Sequence, residues 1–216
     1  AYEFVFGDWS SDWCSSDLLT LPETGTYGFV VASDVNTALA YRFEVITPTA
    51  IAAPLPLGEE LEVSLTTPGA QLRFTFNGSV GQRLYLDELG SDPIDFDTRL
   101  LGPDGTAIFQ VNGVHADLGP VTLRVAGTYT MVIGGNTAET GGFRFRLLDL
   151  AAPPVLPLAL NQTVSDELEP ARETHLYLIP GNLGERLALD SLAPSSSAFW
   201  SFYAPDNHLF ASASQG

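Results

Sequence analysis

The sequence predicts an all-β protein, in which antiparallel β-sandwich modules of about 102 residues follow one another in tandem. Three observations predict it. Apolar residues alternate with polar ones at a period of two through the extended runs. Clusters of Gly, Pro, Asn and Asp separate those runs. Whole blocks of sequence return in the same order at an almost constant spacing.

Taken in order through residues 50–150, the first run is Leu61, Val63 and Leu65, and the second Leu72, Phe74 and Phe76. Leu84 and Leu86 follow, then Val121, Leu123 and Val125, then Tyr129, Met131 and Ile133, and Phe143, Phe145 and Leu147 close the unit. Each places its apolar side chains on one face of a strand, and β-branched and aromatic residues are frequent among them. Pro68-Gly69, Asn77-Gly78, Gly90 to Pro93, Pro103-Asp104-Gly105, Gly134-Gly135-Asn136 and Gly141-Gly142 supply the turns. No helical periodicity extends over three turns. About eight strands in about 100 residues imply two packed sheets, and alternation alone leaves their connectivity open.

The repetition is specific. Gly25-Thr26-Tyr27-Gly28-Phe29-Val30-Val31 returns as Gly127-Thr128-Tyr129-Thr130-Met131-Val132-Ile133, 102 residues later, and Tyr41, Phe43 and Val45 return at the same offset as Phe143, Phe145 and Leu147. Gly81-Gln82-Arg83-Leu84-Tyr85-Leu86-Asp87 returns as Gly184-Glu185-Arg186-Leu187-Ala188-Leu189-Asp190 at an offset of 103, and Gly102-Pro103-Asp104-Gly105 as Ala204-Pro205-Asp206-Asn207 at 102. The phase divides the chain into a partial module over residues 1–49 carrying closing strands, a complete β-sandwich over 50–150, and a partial module over 151–216 carrying the opening strands. Pro48, Pro54 and Pro56 mark one joint as an extended linker, and Pro153, Pro154 and Pro157 the other. Each partial module leaves a sheet face and edge uncovered. Together the two amount to slightly more than one module, so they are candidates to complement each other within a chain or between chains. Ala1 in place of Met and a Ser-rich end give the chain the look of a window on a longer array.

Composition narrows the function. The chain has 216 residues, 45% of them apolar, enough to build real cores. Twenty-six acids face nine basic residues, all Arg, for a formal charge of −17. That surface cannot neutralise phosphates, which excludes nucleic-acid partners, and it equally disfavours anionic membranes. No apolar run is long enough to insert in a membrane as a helix. One cysteine, Cys14, excludes an internal disulfide framework.

The ordered set of an alternating strand, Gly81-Gln82-Arg83-Leu84-Tyr85-Leu86-Asp87, the Gly102-Pro103-Asp104-Gly105 turn and Ala126-Gly127-Thr128-Tyr129-Thr130 resembles the bacterial pre-peptidase C-terminal domains, especially their tandem versions in very large secreted or surface proteins. The resemblance implies a jelly-roll-like β-sandwich at the cell surface or outside the cell, without its own active site. It implies a spacer, scaffold or adhesion role, with adjacent modules of the same chain as partners; the alternative is a module that binds calcium, or a protein or carbohydrate ligand.

Some relatives of that kind bind Ca2+, so the acids are weighed. Asp92, Asp95, Asp97 and Asp104 surround one strand and its turns, and Ca2+ takes several hard oxygens from such turns. The internal repeat divides them: at offset 102 Asp97 meets Phe199 and Asp95 meets Ser197, whereas Asp104 meets Asp206, and Asp87 meets Asp190 at 103. Asp87 and Asp104 therefore read as structural acids that cap turns or bond backbone N–H groups, and Asp95 and Asp97 as the centre of any metal site.

Nothing else carries chemistry. His115, His175 and His208 lack metal-ligand spacing, and no Gly-x-Ser-x-Gly elbow or phosphate-binding glycine motif is present. The expectation is a chain that is not an enzyme and has no resident cofactor. Trp200, with Phe202 and Tyr203, forms an aromatic patch suited to core packing or to stacking on a sugar ring. Arg83 and Arg186 precede the repeated Leu-x-Leu-Asp on the face of Asp87 and Asp190, which predicts a same-face or cross-strand Arg–Asp pair. Residues 9–18 interrupt the repeat and read either as a polar loop or as translated sequencing-adapter DNA; no base stands beside Cys14 to activate it.

Overall fold

The computed structural model describes residues 21–92, 97–111, 117–134, 140–169, 172–192 and 198–214. The start of the first partial module, the interruption at 9–18 with Cys14, His115 and Asp95 lie outside them.

Alternating residues become strands: β1 (Ala50–Pro54), β2 (Leu61–Leu65), β3 (Gln71–Gly78), β4 (Arg83–Asp92), β5 (Thr98–Leu101), β6 (Ala107–Val111), β7 (Leu118–Thr122), β8 (Gly127–Gly134) and β9 (Gly141–Asp149). They form two sheets, one in the order β1-β3-β8-β5-β6 and the other β2-β9-β4-β7. The inward rows of both meet in one core. Leu72, Phe74 and Phe76 of β3 and Tyr129, Met131 and Ile133 of β8 face Leu84 and Leu86 of β4 and Phe143, Phe145 and Leu147 of β9. The Phe74 and Phe145 rings meet edge to face at 5.9 Å, and Phe76 stacks on Tyr129 at 5.5 Å. The Tyr129 hydroxyl, the polar tip of a buried ring, donates to the Val125 carbonyl at 2.6 Å.

Several expectations are corrected. The sheets are not wholly antiparallel, because β1 pairs parallel with β3, from Ala50 opposite Gln71 to Pro54 opposite Thr75. The joint expected as a linker is thus partly an edge strand, which tolerates Pro54 because one side of an edge needs no ladder donor. The strand expected over Val121–Val125 runs instead over Leu118–Thr122 at the opposite edge of the second sheet, and Val125 is exposed. Every ladder among the described strands stays within one sheet, so the two sheets are open and show no jelly-roll curl from one to the other.

The expected strands at Tyr27–Val31 and Tyr41–Val45 are absent as well. Residues 25–47 form no strand, and Tyr27, Phe29, Tyr41 and Phe43 are exposed. A strand has no internal hydrogen bonds and forms only beside a partner. Both neighbours of each equivalent strand in the complete module are occupied by that module's own β8 and β9.

Beyond β9 two pairings repeat the geometry of the complete module, whereas the described residues 181–192, which include the counterparts of Leu84 and Leu86, form no strand. β10 (Leu156–Pro157) pairs parallel with β11 (Tyr177–Leu178), Leu156 opposite Tyr177, where Pro54 stands opposite Thr75 in the earlier copy. β12 (Phe199–Tyr203) pairs with β13 (Leu209–Ser214) in the register of β5 with β6: Trp200 opposite Ala213 matches Thr98 opposite Val111, and the ladder shifts after Phe202 as it does after Leu100. Even the connecting turn recurs, with Gly105 at φ 80° and Asn207 at φ 70°. Glycine suits this left-handed position, and asparagine is the side chain that best tolerates it.

Candidate functional site

The outer face of β4 and β9 is where the complete module meets the segment that follows it. Period two puts Leu84 and Leu86 inward, so Tyr85 and Asp87 point outward. Antiparallel register sets Leu148 opposite Tyr85 and Arg146 opposite Asp87. A shift in the ladder between Glu88 and Gly90 lets Glu88 be buried beside Asp87.

Residues 172–176 of the next module cross this face. The Arg146 guanidinium donates from Nε to Asp87 Oδ2 at 2.6 Å, to the Thr174 carbonyl at 3.1 Å, and pairs with Glu173 Oε1 at 2.7 Å. The Thr174 N–H donates to Asp87 Oδ1 at 3.2 Å, and its hydroxyl donates to Asp117. Asp117 also accepts from the Tyr85 hydroxyl at 3.1 Å and the Glu88 N–H at 2.9 Å. Arg172 reaches Glu88 Oε2 at 2.8 Å. His175 lies between Asp166, at 3.2 Å, and Glu173, at 3.5 Å. Beneath this polar ring, Tyr85, Leu148 and Leu150 pack with Leu176 and Tyr203 from the following module.

Farther along the same face the β12–β13 turn docks. Asn207 Oδ1 accepts from Arg83 Nε at 2.7 Å, its Nδ2 donates to Thr122 Oγ1 at 2.7 Å, and the Ala204 carbonyl accepts from Arg83 at 3.3 Å. Arg83 therefore bonds the next module and not Asp87, correcting the expected same-face pair. Alternation fixes a side chain's face but says nothing of which chemistry arrives from a segment 120 residues away.

Burial and the nearby Asp117 carboxylate push the Asp87 carboxyl up to about 6, although Arg146 and the Thr174 N–H favour its charged form. Burial first, and then Asp117, raise the Tyr85 hydroxyl far above its ordinary range, which keeps it a donor. The acids of the junction thus have structural partners.

Asp104 Oδ1 accepts from the Thr106 N–H at 3.0 Å and hydroxyl at 2.7 Å, closing the turn, and Asp206 does the same for the His208 N–H at 3.1 Å. The Asp97 carbonyl accepts from the Gly134 N–H at 2.8 Å. Asp92 ends β4 opposite Gly142. Among the described residues no group of three or more His, Cys, Asp or Glu is gathered as a metal would require. Trp200 is half-buried on β12, at the place of the fully buried Thr98. Arg146, Asp117, Thr174 and Asn207 were not singled out by the sequence. Asn207, standing where the earlier copy has a glycine, was the signal that could have flagged one of them.

No protein-family model matches the chain, and no curated protein does. Solved structures with similarity to it include PliG of Aeromonas hydrophila, a periplasmic inhibitor of g-type lysozyme, at 15% identity and a TM-score of 0.39, covering 48% of this chain and 99% of that one. The pre-peptidase C-terminal domain of collagenase from Bacillus anthracis is 13% identical with a TM-score of 0.33, over 48% of this chain and 99% of its own. PliG of Salmonella Typhimurium is 16% identical with a TM-score of 0.31, over 47% and 99% respectively.

Proposed function

We propose that the chain is a non-catalytic segment of an extracellular tandem array, a spacer or scaffold whose successive sandwiches are held at a set angle to present adhesive or other elements. The observation that supports this reading most directly is the junction. Arg146, Asp87, Asp117, Glu173 and Thr174 tie two modules together through charge-assisted hydrogen bonds, over an apolar floor that extends from one module into the next. A flexible tether would need neither. The immediate partners of the complete module are accordingly its neighbours in the chain.

The test measures the junction itself. Fluorophores placed on Asn77→Cys and Ser212→Cys, in a Cys14→Ser background, report the distance between modules in single molecules. A narrow distribution that broadens in Arg146→Ala is expected. A broad distribution in the unsubstituted chain would overturn the spacer reading. Melting in millimolar calcium is the companion measurement: an unchanged midpoint is expected, and a rise would move the assignment to a calcium-binding module centred on Asp95 and Asp97, since a ligand that binds only the native state must stabilise it.

A further inference from the structure

Two arginines of the complete module stand together without a carboxylate. On the outer face of the five-stranded sheet, Arg73 of β3 and Arg99 of β5 share one row, each directly opposite Val132 of β8. Period two turns all three away from the core that Phe74, Leu100 and Met131 fill. Two interstrand spacings, about 10 Å, separate the arginine Cα atoms. Both long side chains can therefore reach one group held above Val132.

Their bonding sets them apart. Arg144, Arg146 and Arg172 each pair with an acid, and Arg83 bonds two groups of the next module. Arg73 instead donates from Nη1 to the neutral Gln71 Oε1 at 3.0 Å. Arg99 Nε is buried and has no hydrogen-bond partner among the described residues. Asp97, two residues before Arg99, makes no ion pair with it. In a chain of formal charge −17, carboxylates are not scarce. A buried charged donor without a partner is costly, and an anion that accepts from it removes that cost. Nor does the sandwich require the pair: at the offset of 102, His175 and Ser201 occupy the two places.

We propose that this face binds a carboxylated polysaccharide, with a sugar carboxylate lying above Val132 between the Arg73 and Arg99 guanidiniums. The forked donors of arginine match the two oxygens of a carboxylate. Gln71, Thr75 and Thr130 share the face and are half-buried, supplying the amide and hydroxyl groups that pair with sugar hydroxyls. Protein interfaces centre on aromatic and apolar anchors, whereas here Val132 is fully buried and Leu101 half-buried. The long-range field of the acidic chain opposes a dense polyanion, so one carboxylate per sugar fits better than heavy sulfation. The junction lies on the outer face of the other sheet. The inference thus goes beyond the spacer reading and is tested apart from it.

The experiment titrates the full chain with a short oligogalacturonate and follows the arginine Nε–H resonances. Those of Arg73 and Arg99 are expected to shift at millimolar sugar, and to stay in place with the fully methyl-esterified form. Arg73→Gln and Arg99→Gln should each weaken binding roughly tenfold or more, because bonds to a charged group are lost. Arg99→Lys keeps the charge without the fork and should weaken it as well. Arg144→Gln removes the same charge from the other sheet and should leave the affinity unchanged. Melting curves check that each variant is folded, and the titration of the unsubstituted chain depends on none of them. Arginine resonances that do not move, an equal response to the ester, or an equal loss in Arg144→Gln would overturn the proposal. Tighter binding of a tetraglutamate peptide would replace the sugar with an acidic protein, and tighter binding of a sulfated oligosaccharide would replace the carboxylate; either result overturns the assignment.

Discussion

At Asp87 opposing influences meet. Burial acts most strongly to raise its pKa and the Asp117 carboxylate adds to it, while Arg146 and the Thr174 N–H pull it down; Tyr85 and Glu173 complete the surroundings. The balance leaves the folded value near 6 against an ordinary 3.8. The native state therefore holds this proton more tightly than the unfolded chain does. The resulting stabilisation is fully present below 3.8 and is lost as pH rises through about 6. Other carboxylates titrate in the same range, so the contribution is isolated by difference. Between pH 4 and pH 7 the melting temperature of the unsubstituted chain is expected to fall more than that of Asp87→Asn, which cannot ionise. Parallel melting curves for the two proteins would show that Arg146 fully offsets the cost of burying the charge.

At the scale of elements, the β12–β13 hairpin shows how a repeated turn acquires a second task. Gly105 and Asn207 hold the same left-handed conformation, yet only Asn207 has a side chain, and it bonds Arg83 and Thr122 of the preceding module. Asn207→Gly should keep the turn and lose both bonds. A cost of about 1–3 kcal/mol is expected, since one bond is to a charged group, and it should fall on the docking of the hairpin. Hydrogen exchange reads the difference: the β12–β13 amides stay protected relative to an open chain while those of Arg83 and Thr122 exchange faster. Loss of protection throughout the hairpin would mean that the turn itself depends on Asn207. The strands that fill the core were legible because their alternation is local. β8 and β9 could be placed from Tyr129, Met131, Ile133, Phe143, Phe145 and Leu147 alone. β1 was hidden by Pro54 and by the flanking Pro48 and Pro56, and the first copies of β8 and β9 failed as strands despite sound alternation, because pairing depends on neighbours distant in sequence. The junction was less legible still. Asp87 drew attention as a repeated acid, but Arg146 and Thr174 acquire their roles only from packing, and the counterpart of Arg146 in the first copy is Glu44, which gives the repeat no pattern to display.

For the molecule as a whole, charge is the largest unbalanced quantity. Nine arginines face 26 acids, and the few cations are concentrated: Arg83, Arg146 and Arg172 all act at the junction, and Arg144 pairs with Glu60 on the surface. With 26 acids against nine arginines, the surplus acids repel one another, which favours expanded states over compact ones. Added salt screens this repulsion, because the Debye length falls from about 30 Å at 0.01 M to about 8 Å at 0.15 M. The same salt weakens the exposed Arg144–Glu60 pair, but such a pair contributes less than about 1 kcal/mol. The buried Arg146–Asp87 contact is screened far less. Repulsion should therefore dominate, and thermal melts in sodium chloride between those two concentrations are expected to shift upward by roughly 2–5 °C, the size of a stability change on the order of 1 kcal/mol. In Arg146→Gln the whole curve should lie lower while its rise with salt stays the same, since the lost interaction is one that salt hardly reaches. A midpoint that falls with salt would mean that attractive surface pairs, and not the surplus of acids, govern how the chain responds to its medium.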